Sequence, residues 1–194
     1  SMKKESNYNY KEFPLSNSFD VFQYSENYIS LLLNSLMRDL GIISYLKFDN
    51  IQMETFLNCI RNLHSNKVFK NWELSIDRVQ FLNYFLKKLN LIKKFDASQK
   101  VALFLYLLAM NCNPVISDVD NWIKSKYFLE NGSSLNVGTT IFLALSSVPD
   151  SPFFLMSKED QSLLFKTIES LDQINEIDSC FLISQEKSTF HRIG

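Results

Sequence analysis

Apolar residues recur at intervals of three and four positions along most of the chain, a spacing that predicts amphipathic α-helices. The first such segment starts at Glu26 and ends at Gly41, which supplies a helix stop. Its predicted core face carries Ile29, Leu32, Leu33, Leu36, Met37 and Leu40. No alternation typical of a β-strand persists for more than a few residues, so the pattern predicts an all-α protein.

Two capping pairs mark where further helices begin. Asp49 with Gln52 and Asp96 with Gln99 each place a carboxylate three residues before a glutamine, which is the spacing of a capping box. The helix after Asp49 is predicted to turn four residues inward: Met53, Phe56, Leu57 and Ile60. The helix after Asp96 is apolar all round and must end before Pro114, so we expect it to be buried on all sides.

Four more helical segments complete the pattern. The segment that starts at Phe69 has a predicted core stripe of Ile76, Val79, Leu82, Leu86 and Leu89. A weaker helix is predicted around Val119, Trp122 and Ile123, and another holds Val137, Ile141 and Leu145. Ser157 and Asp160 begin the last one, whose predicted inward residues are Leu163, Leu164, Ile168 and Leu171. The pattern after Asp172 is ambiguous.

These segments predict a single multi-helix bundle of about seven helices. We expect it to span residues 19–175, after an extended N-terminal arm over 1–18 and before a C-terminal tail over 176–194. Four glycines and four prolines among 194 residues leave long uninterrupted segments, which favours helices over a turn-rich β-protein.

Composition and charge exclude several classes of protein. A net charge of −1 gives no field that would attract nucleic acid or an anionic membrane. The longest apolar run, Val101 to Met110, is about half the length needed to span a bilayer. Three cysteines, Cys59, Cys112 and Cys180, are odd in number and set in apolar surroundings, which indicates free thiols in a reducing compartment. No secretory signal is evident, so we expect a cytoplasmic protein.

Few residues offer catalytic chemistry. The two histidines, His64 and His191, have no ligand-spaced partners, and His64 is best explained as a helix-end residue that favours the dipole when protonated. An apolar setting should raise the pKa of Cys112 and make it a poor nucleophile. The acid pairs Asp118 with Asp120 and Glu159 with Asp160 are explained by helix starts rather than by a metal. Phosphate-binding and hydrolase glycine motifs are absent from the sequence.

Several blocks, taken in order from Phe19 to Asp172, resemble the N-terminal half of the catalytic domain of class I 3′,5′-cyclic nucleotide phosphodiesterases. They are "FDVF", "LMRDLGIISYLKFDNIQMETFLNCIRNLH", "FKNWELSIDRVQFLNYFL", "VALFLYLLAMNCNP", "FLENGSS" and "FLMSKEDQSLLFKTIESLD". The resemblance implies an all-helical bundle of the HD type. Members of that family hydrolyse cAMP or cGMP with two metal ions that share a bridging hydroxide.

The resemblance also implies that the metal site has been lost from this chain. Lys70 stands where the family has its general acid, and Leu74 stands where it has a metal-binding histidine. The remaining degenerate positions are Asn111, Cys112 and Asn113 in the second block, and Gly132 and Ser133 in the third. Leucine offers a metal no lone pair, and without the ion no bound water is activated near neutral pH. We therefore predict no catalytic residues, no metal and no cofactor.

Three hypotheses follow for function. The first is an inactive phosphodiesterase-like module that binds a protein partner or a second copy in cyclic nucleotide signalling, with cyclic nucleotide binding doubtful. The second is part of an active phosphodiesterase whose remaining half lies in a longer chain or on a partner. The third is an unrelated helical adaptor. In the first, Trp72 packs on the bundle and Glu73 favours the helix N-terminus.

Overall fold

The computed structural model describes residues 20–64, 71–112, 114, 117–129 and 136–190, with the backbone alone at 71, 117, 118, 136 and 175–190. These residues form eight α-helices and no strand: α1 Glu26–Asp39, α2 Ile42–Leu46, α3 Asn50–Leu63, α4 Asn71–Lys88, α5 Ala97–Ala109, α6 Ser117–Tyr127, α7 Asn136–Ser147 and α8 Lys158–Phe190. Short 3-10 turns lie at Val21–Gln23 and Pro152–Leu155. The prediction of an all-α protein is confirmed for this part of the chain.

Local capping explains where the helices begin. At α3 the Asp49 carboxylate accepts from the backbone N–H of Gln52 at 2.8 Å, and the Gln52 side chain accepts from the Asp49 N–H at 3.0 Å. Asp96 and Gln99 make the same reciprocal pair at α5. At α8 the hydroxyl oxygen of Ser157 accepts a hydrogen bond from the backbone N–H of Asp160 at 3.1 Å. Both predicted capping boxes are confirmed.

The helix α5 forms the centre of the bundle. It packs against α4, α8, α7 and α2, while α3 packs mainly against α7 and α1 packs against α2 and α4. Large side chains with no exposed surface fill the space between these helices, among them Phe56, Phe104, Tyr127, Phe153 and Phe165. The prediction that α5 is buried on all sides is wrong along one flank, where Leu103, Leu107 and Met110 are only half-buried.

Some predicted core residues lie at the surface instead. Leu89 and Leu163 each expose 50% of their surface, so these two predictions are wrong. Leu57, Leu82 and Leu171 are half-buried. The chain after Asp172, which the sequence left ambiguous, continues as helix α8 through Phe190. The predicted arm over 1–18 and His191 lie outside the described residues, as does the side chain of Cys180.

One lysine of α6 lies among aromatic rings. Nζ of Lys126 is close to the ring centroids of Trp122 (4.6 Å), Tyr127 (5.3 Å), Phe142 (5.9 Å) and Phe154 (5.3 Å). Burial, and secondarily the nearby charge of Lys158, lowers the pKa of Lys126. This cluster joins α6 to α7 and to the turn at Pro152–Leu155.

Candidate functional site

Three segments that are distant in sequence meet where α3 ends, α4 begins and α5 ends. His64 is the residue that closes α3, and its backbone pairs with that of Cys112 in an isolated antiparallel bridge. The imidazole of His64 lies edge to face against the indole of Trp72, with 5.6 Å between the ring centroids. We call this meeting point, formed by His64, Trp72 and Cys112, the α3–α4–α5 junction.

The hydrogen bonds of His64 define its tautomer. Nε2 lies 3.0 Å from the carbonyl oxygen of Leu108. Because a carbonyl oxygen can only accept, Nε2 carries the hydrogen and donates it. Nδ1 is buried and has no hydrogen-bond partner among the described residues. Burial lowers the pKa of His64 and outweighs the hydrogen bond to Leu108, which acts in the opposite direction. Burial therefore favours the neutral ring. His64 does close α3, so its predicted position at a helix end is confirmed, whereas its effect on the helix dipole when protonated stays a prediction.

The thiol of Cys112 is also held in its neutral form. Sγ donates to the carbonyl oxygen of Ile60 at 3.7 Å. Burial raises the pKa of Cys112 to about 12; the hydrogen bond with the Thr140 side chain lowers it and nearby Cys59 raises it further. Since the thiolate is the reactive form, Cys112 is not a nucleophile near neutral pH. This confirms the prediction made from its apolar setting.

Two residues of the predicted degenerate site, Leu74 and Asn111, lie on helices that pack against each other or directly after one of them. Leu74 lies half-buried in the first turn of α4, and Asn111 lies half-buried beside Cys112 just after α5. The helices α4 and α5 pack against each other. Whether Leu74 faces Asn111 stays a prediction. The other positions predicted to be degenerate, Lys70, Asn113, Gly132 and Ser133, lie outside the described residues.

Sequence reasoning missed the central position of His64. The imidazole hydrogen-bonds a carbonyl group 44 residues away in the sequence, and no local sequence pattern predicts that contact. Two other expectations for this region are confirmed: Trp72 packs on the bundle, and Glu73 lies in the first turn of α4.

The acidic residues show no arrangement for a metal ion within the described part of the chain. Asp120 accepts from Nζ of Lys124 at 3.0 Å, one turn along α6. Glu159 and Asp160 lie in the first turn of α8, as their helix-start explanation predicts. No group of three or more His, Cys, Asp or Glu side chains converges among the described residues.

A second candidate site is an apolar surface on α4. Phe81, Phe85 and Leu89, one turn apart from each other, expose 50%, 43% and 50% of their surface, and we call them the α4 stripe. The rings of Phe81 and Phe85 are stacked with their centroids 6.2 Å apart. Beside them is an open groove of about 400 Å³ lined by Asp77, Arg78, Phe81, Leu82, Phe85 and Leu107.

Arg78 is one of the two charged residues that line the groove. Its Nη1 is buried and makes no hydrogen bond among the described residues. The groove therefore combines large apolar side chains with a few polar ones, a composition typical of surfaces that bind another molecule.

Comparisons of the chain with protein-family models, with curated proteins and with solved structures found no match. Among the described helices, none has the length and apolar character needed to cross a membrane.

Proposed function

We propose that this chain is a catalytically inactive phosphodiesterase-like module that acts by binding another protein in cyclic nucleotide signalling. The observation that carries the proposal is the α4 stripe, where three large apolar side chains stand half-exposed in a row beside a groove. Scattered apolar residues are common on protein surfaces, but a contiguous row is typical of an interaction site.

The chemistry of the α3–α4–α5 junction supports a role other than catalysis. Its histidine is neutral and already donates to Leu108, and its thiol has a pKa of about 12. Leu74, which by resemblance stands at a metal-ligand position, offers only hydrocarbon. These groups would not activate a water molecule near neutral pH.

The side chains of the stripe support the same proposal. Stacked phenylalanine rings have little side-chain entropy to lose and much apolar area to bury, so they suit the centre of an interface.

Hydrolysis assays with cAMP and cGMP in the presence of Mg²⁺ or Mn²⁺ test the absence of catalysis. We expect no turnover above that of a mock preparation from the same host. Turnover that co-purifies with the chain would refute the proposal. If turnover appears only when a longer chain or a second protein is added, the part-enzyme hypothesis is favoured instead.

Binding is tested with the paired substitutions Phe81→Ser and Phe85→Ser. A partner recovered with the wild-type chain should be lost from this variant, because the centre of the stripe is removed. Leu155→Ser is the matched control, since Leu155 exposes 86% of its surface and lies outside the stripe. Equal recovery with all three proteins would show that the stripe is not the binding surface.

A further inference from the structure

The α4 stripe has opposite charges at its two ends. Asp77 lies one turn before Phe81, and Lys88 lies close to the end of α4. The two charged residues are about three helical turns apart, so they lie along the same edge of the helix. Asp20 adds a second negative charge near Asp77.

Neither charge is paired within the described part of the chain. The ion pairs found there join Arg61 to Glu26, Lys87 to Asp39 and Lys124 to Asp120. Burial raises the pKa of Asp77, nearby Asp20 raises it further, and Arg78 only partly opposes them. Nζ of Lys88 lies 5.4 Å from the ring centroid of Tyr84.

The arrangement of these residues is self-complementary. The midpoint between Asp77 and Lys88 falls between Leu82 and Asn83, and the midpoint between the two stacked rings of the stripe, Phe81 and Phe85, falls at Asn83. Leu89 lies outside this symmetric set. The two midpoints differ by about 0.75 Å along the helix axis. A two-fold axis through this point therefore stacks the phenylalanines of two copies and places each acidic end against a basic end.

We propose that a second copy of this chain docks antiparallel on the α4 stripe, with Asp77 of each copy paired to Lys88 of the other. This inference rests on the proposed function, because it names the partner of the same surface. A parallel arrangement would place like charges together, and the charges at the two ends therefore select the antiparallel one.

Sedimentation equilibrium of the full chain at about 0.1 mM tests the proposal, since weak interfaces have micromolar dissociation constants. We expect a dimer whose dissociation constant rises at least about tenfold for Asp77→Lys or Lys88→Asp, each of which creates two like-charge contacts. The double variant Asp77→Lys with Lys88→Asp should restore dimerisation. Glu54→Lys and Lys166→Asp are matched controls at exposed helical positions away from the stripe, and they should change nothing.

A second pair of variants covers the case in which a charge reversal prevents folding. Asp77→Asn keeps the side-chain shape and Lys88→Gln keeps a polar side chain; each removes one charge of the pair and should weaken the dimer, while Phe81→Ser with Phe85→Ser should abolish it. A monomer throughout this concentration range, or a dimer unaffected by the double serine variant, overturns the inference. A monomer that still binds a different protein through the stripe would leave the proposed function intact, whereas cyclic nucleotide turnover would remove that function whatever the oligomeric state.

Discussion

Replacing Asn83 with leucine measures the cost of a buried amide in the middle of α4. The side chain of Asn83 has no exposed surface, and in the part of the chain that the structure describes neither Nδ2 nor Oδ1 has a hydrogen-bond partner. Val79 and Leu86, which flank it on the same face of the helix, are buried apolar residues. A buried polar group left without a partner costs about 1–3 kcal/mol. Leucine has the same number of side-chain heavy atoms and no group to satisfy.

We expect Asn83→Leu to raise the free energy of unfolding by about 1–2 kcal/mol, because some of the gain is offset by crowding of the larger methyl groups. For a chain of this size the corresponding rise in Tm is about 2–8 °C. Urea unfolding followed by circular dichroism measures the change, provided that the slope of the transition stays constant.

The matched control for this prediction is Asn62→Leu. Asn62 is exposed on α3, so its replacement reports the helix-propensity gain alone, which is below about 0.7 kcal/mol. A loss of stability in Asn83→Leu but not in Asn62→Leu would show that the amide has a partner in solution, such as a bound water, and would refute the reasoning.

Three further predictions concern charged and titratable side chains. The lowered pKa of His64 means that the unfolded chain binds a proton more readily, so stability should be full above about pH 6.5 and fall as the pH drops through the folded pKa. Denaturant titrations should show a smaller loss between neutral and acidic pH for His64→Gln, and an unchanged loss would contradict the buried neutral ring. Cys112 should resist alkylation by iodoacetamide in the native protein and react after unfolding, because its pKa is about 12; peptide mapping by mass spectrometry would detect native labelling that contradicts this. Lys126→Met should lower the unfolding free energy by about 0.5–2 kcal/mol relative to Lys126→Arg, because only arginine keeps a cation among the four rings. Thermal unfolding compares the two variants, and equal stabilities would mean that the rings pack against the hydrocarbon stem alone.

The sequence predicted the features of the fold that depend on neighbouring residues. The capping boxes at Asp49 and Asp96 were predictable because all their hydrogen bonds join residues three positions apart. The short helix α2 was missed because its ends depend on left-handed backbone at Gly41 and Lys47, and a lysine gives no sequence signal for that conformation.

Features that depend on distant segments were not predictable. Periodicity placed Leu89 and Leu163 on core stripes, but a repeat alone does not reveal which edge of the stripe a neighbouring helix covers. The same limit applies to the candidate site. The neutral state of Cys112 could be predicted from its apolar surroundings in the sequence. The environment of His64 could not, because it depends on the packing of α5 beside the end of α3.

The packing of α3 against α7 has a consequence for synthesis on the ribosome. The side-chain amide of Gln52, near the start of α3, donates to the carbonyl oxygen of Pro149 at 3.2 Å. This hydrogen bond cannot form until the ribosome has added the 97 residues that lead from Gln52 to Pro149. At about 5–20 residues per second, that interval lasts roughly 5–20 seconds. Throughout it the apolar face of α3, with Met53, Phe56 and Ile60, lacks its packing against α7. We expect the nascent chain to expose this face to chaperones during the interval.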